Sequence, residues 1–231
     1  MAPQRSQRPA PDDRELRDVV APRPALRHDL LHDGMIWDVV AEQVDLGDGG
    51  RVRREFIDHP GAVAVIALDA DDRLLLQRQY RHPVGRELWE PPAGLLDVDH
   101  EPAQAAAARE LAEEADLVAD RWDVLVDYFT SPGGSNEAIR MFLARDLREV
   151  PVEDRFAREA EELEMEPRWV SIDDAVAAVL AGQVHNPSAV VGILAVRAAR
   201  AAGWSTLRPV DAPWPERRDA GDAPNPTGPP A

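Results

Sequence analysis

Arg109-Glu110-Leu111-Ala112-Glu113-Glu114, at the end of an alanine-rich stretch that opens at Pro102, places three carboxylates and an arginine within six residues. On a helix, side chains three and four apart share a face, so Glu110, Glu113 and Glu114 stand along one stripe. Like charges at these spacings destabilise an isolated helix by roughly 0.2–0.5 kcal/mol per pair. Such a stripe asks for a cation, most simply a divalent one. The plain competing reading is a solvated acidic face, in a chain with 43 Asp and Glu against 26 basic residues. The flanking sequence decides between them.

Residues 102–115 carry strong helix formers, start with Pro102 at a first-turn position and stop before Asp116, which tolerates a left-handed conformation. The glutamates therefore lie on a helix. Upstream, Ala62-Val63-Ala64-Val65-Ile66-Ala67-Leu68 is an unbroken apolar run between Gly61 and an Asp-rich turn, the pattern of a buried strand. Leu74 to Tyr80 is expected to return as its hairpin partner. Residues 35–57 alternate apolar and polar around Gly47 to Gly50 and predict another hairpin. Further strands are expected over 122–129, 138–144 and 167–172. Two closing helices follow, the first capped by Ser171 with Asp174, with Gly182 and Gly203 as stops. Residues 189–196 are expected to turn an apolar side to the core. Strands with interspersed helices and no regular βαβ alternation give a mixed α/β (α+β) sandwich.

Five of the 21 prolines fall in residues 1–25 and seven in 209–231, with few large apolar residues among them. Both ends read as tails that bury too little to order themselves. The expected division is a disordered tail over 1–29, a small β subdomain over 30–58, a main domain over 59–208 and a disordered Pro-rich tail over 209–231. A formal net charge of −17 argues against nucleic acid or an anionic membrane as partner. Bound metal ions would still let such a chain take a phosphate ester. The absence of cysteine removes disulfides, thiolate metal sites and a cysteine nucleophile, and all 26 basic residues are arginine. No segment reaches about 18 consecutive apolar residues, and the N-terminus has no apolar signal core. A cytoplasmic location is expected.

Gly94, six residues, Glu101, seven residues, then Arg109-Glu110-Leu111-Ala112-Glu113-Glu114-Ala115-Asp116-Leu117 resembles the Nudix box. The pattern of that box is glycine, five residues, glutamate, seven residues, Arg-Glu-aliphatic-x-Glu-Glu-x-Gly-aliphatic. Here one extra residue precedes Glu101, and Asp116 replaces the second glycine. Neither departure touches a carboxylate. The resemblance implies a Nudix-type α/β/α sandwich with a mixed sheet. It also implies Mg²⁺- or Mn²⁺-dependent hydrolysis of a nucleoside diphosphate linked to another group. Carried over by box position, Glu110, Glu113 and Glu114 are the metal-binding carboxylates, with the Ala93 carbonyl as a further ligand. Arg109 orients a glutamate through a salt bridge, and Glu101 holds the loop or assists a metal through water. Oxygen-only ligands suit Mg²⁺, and paired ions activate water for in-line attack on a diphosphate.

Two further stretches, residues 88–97 and Thr130-Ser131-Pro132-Gly133-Gly134-Ser135-Asn136-Glu137, resemble the ADP-ribose pyrophosphatase branch, where a proline follows the box by about fifteen residues. That branch takes its general base from an acidic loop, here residues 158–165. Register favours Glu162, with Glu161 and Glu164 as rivals. The resemblance further implies that Trp37 stacks on adenine and that Arg54, Arg81 and Glu137 contact the ribose or diphosphate. It implies a homodimer with swapped N-terminal strands, so that Trp37 and Arg54 serve the partner's site. The expected reaction converts ADP-ribose to AMP and ribose 5-phosphate. The alternatives are hydrolysis of another nucleoside diphosphate sugar and a non-catalytic nucleotide sensor. Sensors typically lose box glutamates, and all are present here.

Overall fold

The structure, a computed structural model, describes residues 16–98, 100–156 and 166–217. Its strands are β1 (Ala25–His32), β2 (Asp38–Asp45), β3 (Arg51–Asp58), β4 (Ala62–Ala67), β5 (Arg73–Arg81), β6 (Arg86–Glu90), β7 (Ala93–Leu95), β8 (Leu117–Phe129), β9 (Ala138–Glu149) and β10 (Glu166–Ser171). Its helices are α1 (Ala103–Ala115), α2 (Ile172–Leu180) and α3 (Pro187–Ala201).

The apolar run expected to be a buried strand is β4, and every residue of it is buried. It runs parallel to β9 and antiparallel to β7, in a mixed sheet of order β7-β4-β9-β8. Period-two alternation sends Ala64 and Ile66 to one face, where Ile172, Ala189, Ile193 and Val196 of α2 and α3 cover them. Val63 and Val65 go to the other face, against Ala106, Ala107 and Leu111 of α1. A strand covered on both faces has no polar side to show, which is why its sequence is continuous rather than alternating. Fully burying each Val or Ile contributes about 1.5–3 kcal/mol. The result is the expected α/β/α sandwich, with residues 189, 193 and 196 turned to the core as read from the sequence.

The turn after β4 forms as expected, with Asp69 Oδ1 accepting from the N–H groups of Asp71 and Arg73. The hairpin does not. β4 and β5 meet only at the bridge Leu68–Leu74, and β5 enters a second sheet of order β10-β5-β6. An Asp-rich turn fixes where the chain reverses, while the ladder a strand joins depends on distant residues. β5 gains β10 over the full span from Glu166–Arg78 to Ser171–Arg73.

A third sheet, β1-β2-β3, contains the predicted hairpin around residues 47–50, in register from Asp38–Asp58 to Asp45–Arg51. Its first strand corrects the expected N-terminal boundary at residue 29. β1 begins at Ala25 and pairs with β2 from Ala25–Val44 onward, because an edge strand needs backbone partners more than an apolar core. The sheet is fastened to the rest through Asn136, whose N–H donates to Ile57 O and whose side-chain Oδ1 accepts from His59 N.

The C-terminal boundary also shifts. Arg140, 4 % exposed, forks onto Asp127 and donates to the carbonyls of Ala212 and Pro213, while its guanidinium lies 4.8 Å from the Trp214 ring. Trp214 packs on the α1-side core. Residues 209–217 are therefore attached to the domain: one indole and a buried guanidinium that needs acceptors outweigh the Pro-rich composition. Among the described residues no helix is long and apolar enough to cross a membrane.

Candidate functional site

α1 turns Ala106, Ala107 and Leu111 into the core; Glu110 and Glu114, three or four residues from these, continue the sheet-facing side of the helix next to β7, with Glu113 at its edge. The helix starts after Pro102, which is extended at φ −62° and ψ 139°. It stops at Asp116, which takes φ 55° and ψ 34° and donates its N–H to Ala112 O and Leu111 O. An aspartate thus fills the left-handed stop that the box assigns to glycine. Alanines along the buried side let α1 approach the sheet closely. At Gly94 on β7 the approach is so close that a Cβ there would sit 2.0 Å from both Cδ and Oε1 of Glu110. Only glycine admits that carboxylate.

Arg109 spreads over three acids. Its Nη1 donates to Glu110 Oε1 at 2.6 Å and to Glu113 Oε2 at 3.0 Å, while Nε and Nη2 each reach Glu101 at 3.2 Å. The Glu101 hydrogen bonds, with the neighbouring carboxylates, hold the guanidinium in its charged form. Burial pushes the Glu110 carboxyl above the ordinary range against the pull of Arg109, and Glu113 and Asp97 push it the same way. Removing water from a carboxylate among other carboxylates leaves it short of positive charge. Glu114 Oε2 accepts from Ala93 N at 3.1 Å and from Gln77 Nε2 at 3.2 Å.

Bonds from Val65 N to Pro92 O and from Leu96 N to Gly61 O put Ala93 at a non-bonded position of the β4–β7 ladder. Its N–H and C=O consequently point away from β4, and the N–H goes to Glu114. The donor chemistry is all oxygen, which fits a hard divalent cation. Among the described residues no three acidic or histidine side chains already converge as an ion cage. Glu110 and Glu113 share one guanidinium nitrogen instead.

The sequence points to Arg81, and the structure brings it to the same place. Gln77, Gln79 and Arg81 alternate along one face of β5 and line a small cavity with Glu90, Ala93 and Glu114. Arg81 grips the buried Glu90 through Nε and Nη2, the latter at 2.6 Å from Oε2. Glu137 sits elsewhere in the network, accepting from Thr130 Oγ1 and lying 3.6 Å from His59 Nε2, with its N–H on Ser135 Oγ. Trp37 and Arg54 are not joined to this cavity within one chain. Trp37 is exposed in the connection between β1 and β2, not in a strand, and Arg54 on β3 donates to Arg53 O. Glu162 and its rivals Glu161 and Glu164 lie outside the described residues. Gln77, Gln79 and Glu90 are not among the residues the sequence singles out. Polar residues at alternate positions just after Leu75 are a signal for the first two, while Glu90 emerges only from its pairing opposite Gln77.

A NUDIX domain model matches residues 58–190. The chain is 45% identical over 192 residues to an ADP-ribose pyrophosphatase of Mycobacterium tuberculosis, an alignment spanning 83% of this chain and 91% of that one. It is 34% identical to an ADP-ribose pyrophosphatase of Bacillus subtilis, over 68% of this chain and 82% of the other. Among solved structures it is similar to an ADP compounds hydrolase, with a TM-score of 0.63 at 18% identity, covering 81% of this chain and 99% of that one, a likeness of fold. With the family model over more than half of the chain and a relative matched over nine-tenths of its length, the chain belongs to the Nudix hydrolase family.

Proposed function

We propose that the protein hydrolyses the diphosphate bond of ADP-ribose to give AMP and ribose 5-phosphate, using a divalent cation for which Mg²⁺ is the physiological choice and Mn²⁺ a substitute. The observation that carries this reading is the complete oxygen-donor stripe of α1 against Gly94, beside the Arg81 cavity. Similarity to two ADP-ribose pyrophosphatases supports the substrate. Glu110, Glu113 and Glu114, with the Ala93 carbonyl, would hold the cation. When bound it neutralises diphosphate charge and lowers the pKa of water. Arg109 keeps Glu110 and Glu113 aimed together and is balanced from behind by Glu101. The Arg81 fork, oriented by Glu90, suits phosphate oxygens. Glu162 would take the proton of the attacking water, and Glu137 would bind on the ribose or diphosphate side.

In this reading the sheet of β1, β2 and β3 forms the dimer and presents Trp37 and Arg54 to the partner's site in a cytoplasmic enzyme. Exposed Leu26, Leu30, Leu31 and Ile36 on and beside β1 supply apolar surface for that contact. The test is a panel of ADP-ribose, other nucleoside diphosphate sugars, dinucleotides and nucleoside triphosphates, with and without Mg²⁺. ADP-ribose should give AMP and ribose 5-phosphate fastest, only with metal. Glu114→Gln should lower turnover by orders of magnitude in a folded protein. Faster cleavage of another sugar nucleotide would reassign the substrate, and hydrolysis of nothing in the panel would make the protein a sensor.

A further inference from the structure

Gln77 carries a polar atom that the fold does not satisfy. It lies within β5, 3 % exposed, on the face that Leu75 opens in the α1-side core. An apolar residue of the same size would continue that core without leaving a polar group to satisfy. Its Nε2 donates to Glu114 Oε2 at 3.2 Å, and the Ala93 N–H reaches the same oxygen at 3.1 Å. A carboxylate only accepts, so the orientation of the amide is fixed, with its NH₂ toward Glu114 and its oxygen away. That oxygen, Oε1, is buried, and among the described residues no donor reaches it. The cavity that Gln77 lines with Ala93, Glu114, Arg81 and Glu90 measures about 10 Å³. One water needs about that much.

We propose that Gln77 is a positioning residue for Glu114. Its Nε2–H, together with the Ala93 N–H, fixes the carboxylate from two strands at once, and its Oε1 accepts a hydrogen bond from a water ordered in the cavity. Glu114 is thereby presented to the cation already oriented, without the entropy loss of ordering a free glutamate. The inference rests on the reading of Glu114 as a metal ligand. Its test separates the two.

Mn²⁺ binding to the full chain is followed by the loss of the free-ion electron-spin signal, in parallel with thermal unfolding of the metal-free protein. Gln77→Met should weaken Mn²⁺ binding about 10–100-fold, the usual consequence of removing the group that holds a ligand. Its metal-free unfolding midpoint should stay level or rise, because Met brings no buried amide whose oxygen depends on a water, and the Ala93 N–H still holds Glu114. A role confined to packing gives the reverse: a lower midpoint, with Mn²⁺ affinity within about twofold of the parent because no ligand has lost its support. That result overturns the proposal. Gln77→Leu is measured beside it, so that misfolding of either variant leaves the other to decide. Glu114→Gln completes the set. If it loses Mn²⁺ affinity while both Gln77 variants keep theirs, the Gln77 assignment alone fails; if it binds Mn²⁺ as the parent does, the metal platform fails and the Gln77 assignment with it.

Discussion

Gly94 shows how a single atom restricts this site. The box glycine is usually easy to explain as a turn, yet here it lies in β7 and its hydrogen faces Glu110. A Cβ at 2.0 Å from the Glu110 carboxyl cannot be accommodated by a small adjustment, so either Glu110 changes rotamer or α1 moves off the sheet. Gly94→Ala should therefore destabilise the protein by roughly 1–3 kcal/mol, as overpacking does. It should also weaken the apparent Mg²⁺ affinity, raising the metal concentration needed for half-maximal rate. Urea unfolding and an Mg²⁺ titration of activity check the two effects. An unchanged Mg²⁺ requirement would detach Glu110 from the metal platform. The spacing of Glu110, Glu113 and Glu114 on one helix face was legible in the sequence, because helical geometry is local. The burial of Glu110 and its contact with Gly94 was not, since it depends on how closely α1 meets β7.

Elements were legible in proportion to how local their determinants are. α1 could be bounded from Pro102 and Asp116, α2 from Ser171, and β4 from its unbroken apolar run. The partner of β5 could not, because nothing in residues 73–81 encodes the ladder with β10 nearly a hundred residues away. The packing of residues 209–217 was hidden for a similar reason: the partner of Trp214 is Arg140, whose own strand gives no sign of it. β3 and the loop before β9 are joined by another non-local device. His59 Nδ1 accepts from the Gly61 N–H, and so the ring is neutral with its proton on Nε2, toward Glu137. Burial lowers the His59 pKa, although Glu137 and Asp58 pull it up. The unfolded chain thus takes up a proton at higher pH than the folded one. The contribution of His59 is complete above about pH 6.5 and declines as pH falls from there through the lowered folded value. The urea midpoint should drop more between pH 7.5 and 5.5 in the parent than in His59→Gln. Parallel curves for the two would show that the ring does not titrate differently on folding.

At the scale of the whole molecule, a chain of net charge −17 that takes an anionic substrate at an acidic site needs the local sign reversed, which in the proposed reading is the work of cations held by α1. The single chain offers Arg81 at that site, while Arg54 stands on the separate β1-β2-β3 sheet and Trp37 in its β1–β2 connection, away from the cavity. If that sheet serves a second copy, each site takes its carboxylates and Arg81 from one chain and Arg54 from the other. Mixing two inactive variants then has a definite outcome. Arg54→Ala lacks the donated arginine and Glu114→Gln lacks a metal ligand. In a mixed dimer, the chain that keeps Glu114 receives Arg54 from the other, which rebuilds one site of two. Random re-association makes about half of all dimers mixed, so activity should recover to about a quarter of the parent value after the variants are unfolded and refolded together. Each variant refolded alone should stay inactive. Activity no higher than the sum of the separate variants would place Arg54 outside the partner's site and would leave the exposed apolar edge of β1 to another use.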